Sequence, residues 1–176
     1  PEAVRAAIRK GVEYIYSRQT PEGHWEAAAK KDPSVARHDV RGGQWGGQTA
    51  LTTYALLAAG ESPQDPRIRK AVDWLSKAEI EGIYALGMRA QIWHYLPRTA
   101  QVQAAARRDW TLLANALAAR KAKGIGTYDY IVTAGGERID LSVSQYGVLG
   151  AWALTEAGIE VPPGYWQVVD QAWRGW

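Results

Sequence analysis

The sequence predicts an all-α protein made of helical hairpins, in which outer amphipathic helices alternate with inner apolar ones. Three observations carry this reading. Apolar residues recur at three- and four-residue spacing along most of the chain, the period of a helix with one buried face. Residues 48–59 and 146–154 carry no charge at all, as expected of helices covered on every side. Residues 48–60 and 145–158 both begin with Gln and end in Ala-Gly, an internal repeat of the size found in helical solenoids.

Taken in order, residues 2–18 place Val4, Ile8, Val12 and Ile15 on one stripe, with Glu2, Arg5, Arg9 and Glu13 around the other side. This predicts an outer, half-exposed helix. Residues 26–46, with Pro33 and Gly42-Gly43, lack periodicity and read as a long loop, a class that is often functional. The uncharged helix at 48–59 follows, stopped by Gly60. Asp65 is an N-cap with Pro66 at the first helical position, and Ile68, Ala71, Val72 and Leu75 make one stripe, so this helix is outer.

Residues 84–96, with Leu86, Ala90, Trp93 and Leu96, form an inner helix ended by Pro97. A long outer helix aligns Val102, Ala106, Trp110, Leu113 and Leu117 and runs to Gly124. Arg120, Lys121 and Lys123 would then sit at its C-terminus, where the helix dipole favours cations. Residues 131–139, with Gly135-Gly136, read as a turn or small hairpin. Asp140 caps an inner helix over 141–157, and a last outer helix begins after Pro162-Pro163, presenting Tyr165 or Trp166, Val169 and Trp173.

At 176 residues the chain suits one domain, residues 1–176, with an apolar fraction of 47% ordinary for a soluble globular protein. No run approaches the length needed to span a bilayer, and the start shows no signal peptide. Compartment stays open. With no Cys there is no disulfide, thiolate metal site or Cys nucleophile. A net charge of +3 without a basic stripe argues against nucleic acid as a partner. Nine Trp and nine Tyr with no Phe suit a cavity lining or wet interface as well as a core.

One stretch stands apart. Residues 10–25 place Lys10, Gly11, Tyr14, Ile15, Gln19, Gly23 and Trp25 in the spacing basic, small, two residues, aromatic, aliphatic, three residues, Gln, short spacer, Gly-x-Trp. This resembles the QW repeat of squalene and hopene cyclases, and with the alternating helices the chain is similar to the α/α toroid of terpenoid cyclases and protein prenyltransferases. The resemblance implies that Gln19 ties off a helix end while Trp25 stacks beneath the next helix. The match is complete only here: Lys70, Ala71, Trp74 and Leu75 keep its first half, and Gly126-Thr127-Tyr128 would be a degenerate Gly-x-Trp. Family toroids have six hairpins and this chain about three and a half. The expectation is therefore a segment of a longer protein, or copies that associate through exposed edge helices.

The resemblance does not bring the family's chemistry with it. The Asp-x-Asp-Asp acid motif of the cyclases is absent; Asp39, Asp129 and Asp140 are single acids, each with a turn or cap role open to it. The zinc set of prenyltransferases needs a Cys. His24, His38 and His94 lack paired metal-site spacing, so neither metal nor cofactor is expected. Ser142 has no recognisable His partner.

Two inner-helix starts remain as ligand candidates. Asp140, Ser142, Ser144 and Gln145 surround one; Gln44, Trp45, Gln48 and Thr49 surround the other, with His38 and Arg41 on the preceding loop. Such N-termini suit anionic groups, and the same residues suit plain capping. Trp93, His94 and Trp152 lie on inner helices, either as core or as an aromatic lining of the kind that steadies carbocations. The functional expectation is a cyclase- or prenyltransferase-like repeat acting as a binding or interaction module, its partner an apolar or isoprenoid small molecule, another protein, or a second copy. The alternatives are an enzyme acting on a polyprenyl substrate with its acid outside this segment, and a carbohydrate-binding or carbohydrate-active toroid.

Overall fold

The computed structural model describes residues 2–27, 30 and 43–175. Over these the chain is all-helical: α1 (Glu2–Ser17), α2 (Gly47–Ala58), α3 (Pro66–Lys77), α4 (Ile83–Trp93), α5 (Ala100–Ala118), α6 (Leu141–Glu156) and α7 (Pro163–Arg174), with a 3-10 turn (Ala122–Gly124) after α5. Much of the expected 26–46 loop, with His38, Asp39 and Arg41, lies outside the described residues.

Caps read from the sequence form as expected. Asp65 accepts the Arg67 N–H at 2.8 Å and Asp140 that of Val143 at 3.0 Å, each satisfying a first-turn donor that has no partner inside the helix.

The inner helix α4 is the hub, packed between α2 and α6 with α5 behind it. Nine of its eleven residues are buried. Its crossing with α6 is close because two glycines meet there: a Cβ on Gly150 would lie 3.0 Å from the Gly87 Cα, and one on Gly87 would strike the Tyr146 carbonyl. The outer helix α3 buries Ile68, Ala71 and Leu75, and α5 buries Val102, Ala106 and Leu113, as their stripes predict.

Three expectations are corrected. The uncharged helices α2 and α6 are not covered on every side: Leu51 is 53% and Trp152 52% exposed, because only α4 has inner neighbours on both flanks. The helix expected to reach Gly124 ends at Ala118. Arg120 does not lie on the surface beside a helix terminus but is buried, donating to Asp129, to the Ala134 carbonyl at 3.2 Å and to the Arg138 carbonyl. Of the turn or small hairpin expected at residues 131–139, the turn forms, with Ala134 N–H donating to the Ile131 carbonyl at 3.0 Å, but these residues do not pair as a hairpin of their own. The segment entering α4 takes their backbone instead, with Ile83 N–H donating to the Tyr130 carbonyl and Val132 N–H to the Glu81 carbonyl.

The turn after α1 holds three helices together, and the tie at the end of α1 comes from a different side chain than expected. The Trp25 indole N–H, not Gln19, ties off α1, donating to the Ile15 carbonyl at 2.8 Å. Gln19 donates to the Gly23 carbonyl at 3.0 Å and the Arg67 carbonyl at 2.9 Å, fastening the turn to α3. Gly23 has φ +98°, and a Cβ there would lie 2.8 Å from the Lys70 carbonyl oxygen, so both its conformation and its contact require glycine.

The stretch Gly126-Thr127-Tyr128 repeats this geometry. Gly126 has φ +80° and sits against the Val168 carbonyl of α7, as Gly23 sits against α3. The Trp25 N–H donates to Thr49 Oγ1 at 3.0 Å and the Tyr128 N–H to Ser144 Oγ at 2.8 Å, each a hydroxyl in the first turn of the following inner helix. Helices α1–α2–α3 and α5–α6–α7 are thus joined by the same device.

Candidate functional site

Helix geometry gives α4 two unlike long sides. Residues 84, 88 and 91 fall within about 60° of one another at 100° per residue, and Tyr95 follows in the turn after the helix, its N–H donating to the Ile92 carbonyl. Tyr84, Met88 and Tyr95 there are only half-buried, whereas Arg89 and Trp93 point to the opposite side and are fully buried. The neighbouring helices α2 and α6 expose Leu51 and Leu149, at 53% and 37%. Tyr54 and Tyr95 meet edge to face at 6.0 Å, and Gln91 donates to the Leu149 carbonyl at 2.9 Å, its amide fixed between helices. The result is one inner face, apolar and aromatic, running across α2, α4 and α6.

Charge is nearly missing from it. Helix α2 has no Asp, Glu, Lys or Arg, the one in α4 is the buried Arg89, and α6 has only Glu156 at its last position. His94 caps the far end of α4. Desolvation lowers its imidazole below the ordinary value, opposed by the charge of Glu156.

The opposite end, where inner helices begin, is polar, and its helix N-termini are already filled. Glu26 accepts from the N–H and hydroxyl of Thr49, each at 2.8 Å, at the start of α2. Gln44 caps not α2 but α4: its Oε1 accepts the Ala85 N–H at 3.1 Å while its Nε2 donates to the Tyr130 carbonyl at 2.8 Å. Asp140 caps α6 and accepts the Tyr130 hydroxyl at 2.7 Å. Burial pushes the Asp140 carboxyl up, but the hydrogen bonds from Tyr130 and the backbone N–H groups of Val143 and Ser142, with the charge of Arg138, bring it below the usual carboxylate value. Two of these three caps are carboxylates, which disfavours an anionic ligand group there.

The candidates read from the sequence fall in separate places. Ser144 is buried, its hydroxyl donating to the Asp140 carbonyl while accepting from Tyr128. Gln48 holds the Ala27 N–H at 2.9 Å. Trp45 meets Trp74 of α3 in a tilted contact at 5.1 Å, and Trp74 also meets His24, so Trp45 faces an outer helix. Trp93 is core: its indole donates to Asp109 at 2.7 Å. Gln145 and Trp152 are exposed on α6.

Sequence reasoning passed over two features. The first is the Tyr84, Tyr130 and Tyr146 cluster, with ring centroids 6.2 and 4.9 Å from Tyr84, beside Ser142, which receives the Tyr84 hydroxyl at 2.8 Å. The i, i+4, i+11 spacing of Tyr84, Met88 and Tyr95 was the available signal for the face itself. The second is the buried Arg89–Asp109 pair, bidentate at 3.0 and 2.5 Å, with Arg89 also donating to the Leu75 and Ala78 carbonyls. It joins α4, α5 and the end of α3. Behind it, away from the inner face, an open cavity of about 320 Å³ is lined by Ile80, Leu112, Val132 and Arg108 among others. Among the described residues no three His, Asp or Glu side chains converge as a metal site would require, and no helix is long and apolar enough to cross a membrane.

Compared with protein-family models, curated proteins and solved structures, the chain matches none.

Proposed function

We propose that this chain is a helical-repeat binding module of the terpenoid cyclase and prenyltransferase kind, whose inner face receives an elongated apolar molecule such as an isoprenoid. The observation that carries the reading is the uncharged aromatic and aliphatic face formed by Leu51, Tyr54, Met88, Tyr95 and Leu149. Apolar ligand sites are lined in this way, with few polar groups to fix orientation, and Gln91 is such a group. The doubled Gly-x-aromatic turn supports the likeness in architecture. Among the described residues no Asp or Glu belongs to the set that forms the face, and a binding role accounts for it without asking for proton transfer.

Native mass spectrometry after exposure to farnesol tests this. A retained farnesol mass that disappears in Leu149→Lys and persists in Tyr130→Ala is the expected result. No retained mass in the parent chain would sink the reading. The Tyr84, Tyr130 and Tyr146 cluster beside Asp140 favours a second reading, saccharide stacking on the polar rim. Quenching of tyrosine and tryptophan emission by oligosaccharides, lost in Tyr130→Ala, would select it.

A further inference from the structure

Helix α1 and the pair α6–α7 expose apolar side chains and carry opposite net charge. The stripe of Val4, Ile8, Val12 and Ile15 runs along α1. Val12 and Ile15 pack against the core, whereas Val4 and Ile8 continue the same stripe at 54% and 48% exposed. Helix α6 meets α4 through Gly150. Trp152, two residues on and so about 200° round the helix, stands 52% exposed on the far side. Leu141 on α6 and Trp173 on α7 are also exposed, at 39% and 38%. The α1 residues form a continuous stripe, and a stripe of this kind, unlike single exposed apolar residues, marks an interaction surface.

Charge states which surfaces fit. Residues 2–18 carry Arg5, Arg9, Lys10 and Arg18 against Glu2 and Glu13, whereas residues 141–175 carry Glu156, Glu160 and Asp170 against Arg174. Two like ends would oppose like charge, while unlike ends attract. We infer that the α1 stripe of one copy docks on the α6–α7 edge of a second copy, head to tail. The contact made twice about a twofold axis closes as a dimer, leaving neither edge bare. The anchors are Ile8 and Trp152, since large apolar side chains at a desolvated centre carry most of an interface's energy. The inference does not rest on the ligand reading, because association is read without ligand.

Sedimentation velocity of the 176-residue chain over a concentration series tests it. A reversible monomer–dimer equilibrium is expected, weakening as salt is raised. Ile8→Ser and Trp152→Ser should each weaken it at least about tenfold, with the helical circular dichroism unchanged. Val4→Ser and Leu141→Ser stand in should either variant lose its fold. Mixing the Ile8→Ser and Trp152→Ser proteins is the decisive step. Their heterodimer keeps one intact junction, so the mixture associates more strongly than either variant alone. A chain that stays monomeric at every concentration overturns the inference. So does a dimer that survives Trp152→Ser, or a mixture no stronger than its parts, since both indicate contact between like ends.

Discussion

The two sides of α4 solve opposite problems. On one, Arg89 and Trp93 are buried with Asp109 in a network where the guanidinium is held by both carboxylate oxygens and two backbone carbonyls. On the other, Tyr84, Met88 and Tyr95 form a half-open face without charge. The contrast teaches that the charge on α4 is admitted to the interior because Asp109 and the backbone at the end of α3 meet it there. The open side is left apolar, so a molecule docking there desolvates no ion.

The sharpest way to break this contrast is to strand the buried cation. Asp109→Ala leaves Arg89 without its carboxylate, and urea unfolding should show a loss of about 3–5 kcal/mol. Gly87→Ala drives a methyl group into the Tyr146 carbonyl at the α4–α6 crossing and should cost about 1–3 kcal/mol in the same assay. Trp25→Phe keeps a ring but deletes the hydrogen bond to Ile15, for a loss of about 1 kcal/mol.

Asp140→Ala removes the α6 cap and should also cost about 1 kcal/mol, with a particular pH dependence. The Asp140 carboxyl lies below its unfolded value. Its ionised form therefore stabilises the fold at neutral pH, and that contribution fades as pH falls from the ordinary carboxylate range through the folded value. The gap between parent and variant in thermal unfolding should accordingly narrow in acid and stay constant from pH 6 upward (on the order of the unperturbed range). The smallest effect is the counterpart of the first: Leu149→Lys, on the open face, should change stability by no more than about 0.5 kcal/mol. A loss comparable to that of Asp109→Ala would show that the face is packed rather than open.

Each helix of the fold was legible in outline because its signals are local. Asp65-Pro66, Asp140 and Pro162-Pro163 mark starts, Gly60 and Gly158 mark stops, and three- and four-residue spacing marks the buried stripes. Less of the candidate site was legible. Arg89 lies in a stretch otherwise apolar and Asp109 on the polar side of an apparent surface helix, and nothing in their spacing announces that they meet. Arg120 read as a helix-end cation because its partners, Asp129 and the carbonyls of Ala134 and Arg138, come from a loop with no periodicity of its own.

Sequence alone determined what depends on neighbours in the chain: the all-α class, the alternation of apolar and amphipathic helices, and the glycines at 23 and 126 that turn into the next unit. Tertiary structure decided which apolar residues are core and which form a face. Leu56 and Leu51 are alike in sequence, yet Leu56 is sealed beneath other helices while Leu51 is 53% exposed. It also decided that Trp152 on α6 stands 52% exposed, though the stretch reads like a buried helix. The physical reason is that hydrophobicity records a tendency to leave water, and only the arrangement of helices determines where that tendency is satisfied.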